Sequence, residues 1–132
     1  MTGKIVQVSG SVVDVRFEPG HLPKIKEALV VKLEDKEVVM EVAQHIGDYT
    51  VRCIMLAGSE GLARNMDVIA TGNNIQVPVG ECTLGRMFNV LGQPIDGGEE
   101  VPKEYERWNI HRKAPAFDQQ SPAVEILETG IR

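Results

Sequence analysis

The chain has 132 residues, 42% hydrophobic and 25% charged, with a formal net charge of -5. These are the values of an ordinary globular chain, long enough for one medium domain or a small domain plus part of another. The negative balance speaks against a nucleic-acid partner, which takes clustered Lys and Arg. The opening Met-Thr-Gly-Lys carries no apolar stretch of signal-peptide or membrane-spanning length, so the expectation is a soluble, intracellular chain, peripheral to a membrane at most through partners.

The first part, residues 1–76, reads as a series of short strands. "KIVQV" and "VVDVRF" flank the turn signal Ser9-Gly10-Ser11. In the second run Val13, Val15 and Phe17 alternate with Asp14 and Arg16, a period of two that buries one face and wets the other. "EPGHLP" breaks the chain. "ALVVKL" and "EVVMEVAQHI" follow, joined by the polar tip Glu34-Asp35-Lys36. Gly47-Asp48 reads as the next turn, before "YTVRCIML", where Val51, Cys53 and Met55 share a face. The connector "AGSEGLARNM" leads to a last run, "DVIATG". Strands at such even spacing, with no long helix between them, predict a small closed six-stranded β-barrel, whose closure removes the sheet edges. No long helix interrupts the series, so a parallel βαβ arrangement is not expected here.

After Gln76 the texture changes. "VGECTLGRMFNVLGQPIDGG", Val79 to Gly98, carries five glycines and invites a phosphate-binding reading, yet G-x-x-x-x-G-K-[ST] occurs nowhere in the chain. Glu81 to Leu84 reads as one helical turn ending at Gly85, "RMFNVL" as a strand, and "GQPIDGG" as turn chemistry. The charged stretch Glu99 to Glu106 reads as an exposed loop. The segment to Arg132 has apolar anchors at Trp108, Ile110 and Phe117 without a clear period, and ends with no stop signal. Residues 77–132 therefore read as a linker and the truncated start of a further domain.

No catalytic constellation stands out. His21, His45 and His111 lack ligand spacing, and core or solvated roles suit them better than a metal site. The Glu99-Glu100 pair has no alternating ligand set around it for a cation. No Ser or Cys sits in a nucleophile elbow. Cys53 and Cys82 form no pair and read as buried, reduced thiols; Cys82 has no basic neighbour closer than Arg86. Phe17 and Tyr49, the aromatics of residues 1–76, give no stacking platform for single strands, Phe17 lying on an apolar face.

Several stretches carry a family pattern. "GKIVQVSGSVVDVRF" resembles the opening strands of the catalytic β subunit of rotary F-type ATP synthases. "TVRCIMLAGSEGLARNMDVIATG" is similar to its last barrel strands with the "EGL" loop, and "IQVPVGECTLGRMFNVLGQPID" to the segment where its chain leaves the barrel for the nucleotide-binding domain. "ERWNIHRKAPAF" and "EILETGIR" resemble the run before its phosphate loop. The related α subunit, vacuolar-type subunits and export ATPases share the barrel and the "LGR" element, but "TLGRMFNVLGQPID" with "RWNIHR" looks most like the F-type β subunit.

The resemblance implies a mainly β fold: the barrel at 1–76, then the incomplete start of an α/β nucleotide-binding domain at 77–132. It implies a parent that couples proton translocation to ATP synthesis and hydrolysis, on the cytoplasmic side of a bacterial plasma membrane or in a plastid or mitochondrial inner-membrane complex. Barrels of alternating α and β subunits stand edge to edge in a six-membered crown, so α subunits are the expected partners and membrane contact is indirect. No catalytic, cofactor-binding or metal residue carries over. The parent's ATP/ADP and magnesium are expected to bind through residues beyond Arg132, and the chain alone to be inactive. The glycines of Val79 to Gly98 are expected to be structural: Gly85 as a left-handed cap, Gly92, Pro94, Gly97 and Gly98 as the following turn. Residues 77–132, without their sheet, are expected to be less stable than the barrel. Met87, Phe88, Val90, Leu91, Ile126 and Leu127 would then expose apolar surface that favours self-association. The alternatives are a vacuolar-type or export ATPase parent and a free-standing barrel interaction module.

Overall fold

A computed structural model describes residues 2–56 and 61–131. Six strands form the first part: β1 (Thr2–Ser9), β2 (Val12–Arg16), β3 (Glu27–Lys32), β4 (Glu37–Gly47), β5 (Thr50–Met55) and β6 (Asp67–Asn74). All their pairings are antiparallel, and β1 pairs with both β2 and β6, so the order β1-β2-β5-β4-β3-β6 closes into a barrel. The predicted fold class is the one observed. The "AGSE" start of the connector before β6 lies outside the described residues.

The period-two pattern does what it should. Val13 and Val15 of β2, Leu29 and Val31 of β3, Val38, Met40 and Val42 of β4, Val51, Cys53 and Met55 of β5 and Val68 of β6 all point inward and are buried, with Ile5 and Phe17 completing the core. At about 25 cal/mol per Å² of apolar surface removed from water, each such Val, Leu or Met stabilises the fold by about 1.5–3 kcal/mol relative to exposure.

The β4–β5 turn falls one residue later than the sequence suggests. Gly47 pairs with Thr50, leaving a two-residue loop of Asp48 and Tyr49, both with positive φ (50° and 56°). A two-residue hairpin needs that mirror-image turn because its twist matches that of the flanking strands. Local cost at Tyr49 is overridden by ladder closure.

Beyond the barrel a second, two-stranded sheet pairs β7 (Gln76–Pro78) with β8 (Arg107–Asn109). A single 3-10 turn, Glu81–Thr83, follows β7, with Gly85 at φ 69° behind it. The expected strand "RMFNVL" is not one: Phe88 and Pro94 make an isolated bridge. The reason is Asn89. Its side-chain oxygen accepts the backbone N–H groups of Leu91 and Gln93, both at 3.0 Å, which turns the chain where a strand would continue. From residue 112 to 131 the chain is exposed throughout and holds only the 3-10 turn Phe117–Gln119. No helix is long and apolar enough to cross a membrane.

Candidate functional site

The glycine-rich crossing, Val79 to Gly98, contains one basic residue, Arg86. Its guanidinium is taken up within the loop. Nε donates to Asp96 Oδ2 at 2.7 Å and Nη2 to Asp96 Oδ1 at 3.3 Å. Nη2 also donates to the Glu99 carbonyl at 2.7 Å, and the group lies 5.8 Å from the Phe88 ring centre. Asp96 further accepts the N–H groups of Gly98 (2.8 Å) and Met87 (3.3 Å). Arg86, then the Gly98 N–H, hold the Asp96 carboxyl far below the usual carboxylate range, while the Asp96 bond raises Arg86 above its ordinary value.

Two glycines show why the loop needs them. At Gly92 (φ 74°) a Cβ would stand 2.6 Å from Pro78 Cδ, so only glycine lets the turn lie against the end of β7. At Gly98 a Cβ would meet Arg86 Nη2 at 2.6 Å, displacing the guanidinium from Asp96. Turn geometry and close packing account for both positions, as the structural reading expects. Among the six apolar residues expected to lie open, Met87, Val90, Ile126 and Leu127 are exposed, whereas Phe88 and Leu91 are half-buried.

The titratable candidates stay apart. His45 Nε2 lies 2.7 Å from the Pro23 carbonyl, His111 contacts Glu41, and His21 is exposed. Among the described residues no three His, Cys, Asp or Glu side chains gather into a group that would hold a metal. Cys53 is buried, and burial, with the charge of Asp14 adding to it, pushes its thiol up to about 12, an inert form. Cys82 is only half-buried, not buried as expected, with Sγ 3.5 Å from the Val79 carbonyl. Phe17 is in the core and Tyr49 sits exposed at a hairpin tip.

What the sequence withheld is the outer wall. Register places Val30 of β3 opposite both Ile69 of β6 and Val39 of β4, with all three side chains outward. Leu56, whose N–H reaches the Val39 carbonyl at 3.4 Å, extends this apolar row past the end of β5. Ile69 is 38% exposed, and Ile54, next to the row on β5, is 46% exposed. Elsewhere the wall is polar: Asp14 of β2 pairs with Arg52 of β5 (Nε to Oδ1, 3.0 Å; Nη2 to Oδ2, 3.4 Å). "ALVVKL" reads as a continuous apolar run, so no signal in it separates outward Val30 from inward Leu29 and Val31.

Closure pairs the barrel strands through most of their length, so over that part of the wall a partner meets side chains such as these. The family profile described as "ATP synthase alpha/beta family, beta-barrel domain" matches residues 5–72, slightly more than half of the chain and the span from inside β1 to inside β6. With the closed six-stranded barrel found over that same span, the chain belongs to the ATP synthase alpha/beta family.

Proposed function

We propose that this chain is the N-terminal part of a catalytic β-type subunit of an F-type ATP synthase, and that its barrel is the assembly module of the alternating hexamer. Family membership supports a place in a subunit assembly of a membrane-associated ATPase. The finer reading, β rather than α and F-type rather than vacuolar-type, rests on "TLGRMFNVLGQPID" and "RWNIHR". The observation that carries the assembly role is the apolar row Ile69, Val30 and Val39 on the outside of the closed barrel. Contiguous outward apolar residues in register suit a surface that a partner covers. In this reading residues 77–132 lead into the nucleotide-binding domain, and ATP with magnesium is held by residues further along the parent chain.

The test pairs the 132-residue chain with α subunit in sedimentation velocity. The chain should bind, and Ile69→Asp should weaken binding about tenfold or more by burying a charge at the contact, with the barrel still unfolding cooperatively in urea and losing no more than about 1 kcal/mol from the cross-strand pair with Val30. Binding to a vacuolar-type or export-type subunit in preference to α would reassign the parent. Loss of binding to all of them would overturn the assembly role. Titration of the chain with Mg-ATP should be silent, and heat would overturn the assignment of the nucleotide site to downstream residues.

A further inference from the structure

The run "RWNIHR", Arg107 to Arg112, is divided by the fold among separate partners. Arg107 Nη2 donates to the Val101 carbonyl at 3.3 Å. Trp108 Nε1 donates to Glu106 Oε1 at 2.7 Å, and Arg112 lies over the Trp108 ring at 3.7 Å. His111 goes elsewhere: its Nε2 lies 2.9 Å from both carboxylate oxygens of Glu41, 70 residues away on the barrel wall. Glu41 stands in an outward row between Ala28 of β3 and Ile54 of β5, neither of which carries charge. Among the described residues this is the one side-chain hydrogen bond that joins the chain beyond Gln76 to the barrel. One residue earlier, the Ile110 N–H donates to the carbonyl of Ile75, the buried residue between β6 and β7, at 3.0 Å.

We infer that Glu41 and His111 form a clasp that sets the orientation of the β7–β8 sheet on the barrel, and that "RWNIHR" is the clasp's motif. Arg112, the neighbouring cation, is held against Trp108, so the histidine alone is directed to the wall. The hydrogen bond is partly shielded from water, with side-chain exposures of 35% for His111 and 21% for Glu41, so its contribution is modest. The clasp lies within this one chain, whichever partner the barrel meets.

The test is a double-mutant cycle in the 132-residue chain, using Glu41→Gln, His111→Gln and both together. Hydrogen exchange at the Ile110 amide should speed up about two- to fivefold in each single variant. The double variant should be no faster than the quicker single, because the two residues act through one contact. Exchange of the Met40 and Val31 amides in the barrel should stay unchanged, which separates unclasping from unfolding. ¹⁵N relaxation gives a second readout: residues 76–79 and 106–110 should tumble with the barrel in the wild type and gain independent motion in each variant. Unchanged exchange and relaxation in the single variants, or single effects that multiply in the double, would overturn the clasp.

Discussion

Cys53 tests the barrel's packing through pH. Its thiol is fully buried on β5, with Val13 and Val42 opposite it on the flanking strands. Burial, with the Asp14 charge adding to it, raises it from an ordinary 9.0 to about 12. In the unfolded chain the thiol ionises at its ordinary value. Between those two values the unfolded chain has lost a proton that the folded chain keeps, so stability falls as pH rises through this window and is intact below it. One pH unit within the window is worth about 1.4 kcal/mol. Moving from about pH 8 to about pH 10 should therefore cost about 1.4 kcal/mol through this group, roughly tenfold in the folding equilibrium. Lysines and tyrosines titrate nearby, so the quantity to measure is a difference. Urea unfolding of the wild type and Cys53→Ala at both pH values should show a smaller loss in the variant by about that amount, whatever the cavity does to its absolute stability. Equal pH slopes in the two proteins would refute the reasoning. A thiol reagent should likewise modify half-buried Cys82 in the native state and reach Cys53 only on unfolding.

The crossing loop gives two further predictions. Gly92→Ala combines a left-handed backbone with a Cβ 2.6 Å from Pro78 Cδ, whereas Gly85→Ala has the same kind of backbone and open space around it. The second should cost about 1 kcal/mol in local stability and the first at least 1 kcal/mol more, read as faster exchange of the Asn89 and Ile95 amides, which bond to Gln93 and Met87; equal effects would refute the close-packing account. Asp96→Asn should release Arg86, so trypsin should cut after Arg86 faster than in the wild type, and an unchanged rate would count against the pair as the loop's fastener. Because the folded Asp96 carboxyl lies below its ordinary 3.8, its contribution is present above that value and fades as pH falls beneath it. Wild-type protection of the loop should therefore persist at neutral pH and weaken in strong acid, while Asp96→Asn should lack that acid-dependent component.

Legibility followed the physics of each signal. Alternation in "VVDVRF" and "YTVRCIML" exposed the barrel strands because one face of each is dry, and the inward residues are those the alternation selects. β7 and β8 were hidden because three residues each are too few to show a period, and 28 residues separate them. "RMFNVL" misled because its composition favours a strand, while a single Asn89 side chain captures the backbone and turns it. The Glu41–His111 contact spans 70 residues and depends on barrel register, which no local pattern encodes. The same holds for the apolar row through Val30, Ile69 and Val39, whose members come from three separate strands.

Strands β6 and β7 are separated by Ile75 alone. A peptide plane leaves a residue two soft torsions, so the junction works as a universal joint with two short axes and no slack. Ile75 is buried and its carbonyl is tied to Ile110, which leaves even those axes loaded from both sides. A push applied to the β7–β8 sheet would reach the barrel wall as leverage, with little absorbed as linker stretch. Lengthening this joint by a few glycines would turn a stiff shoulder into a tether.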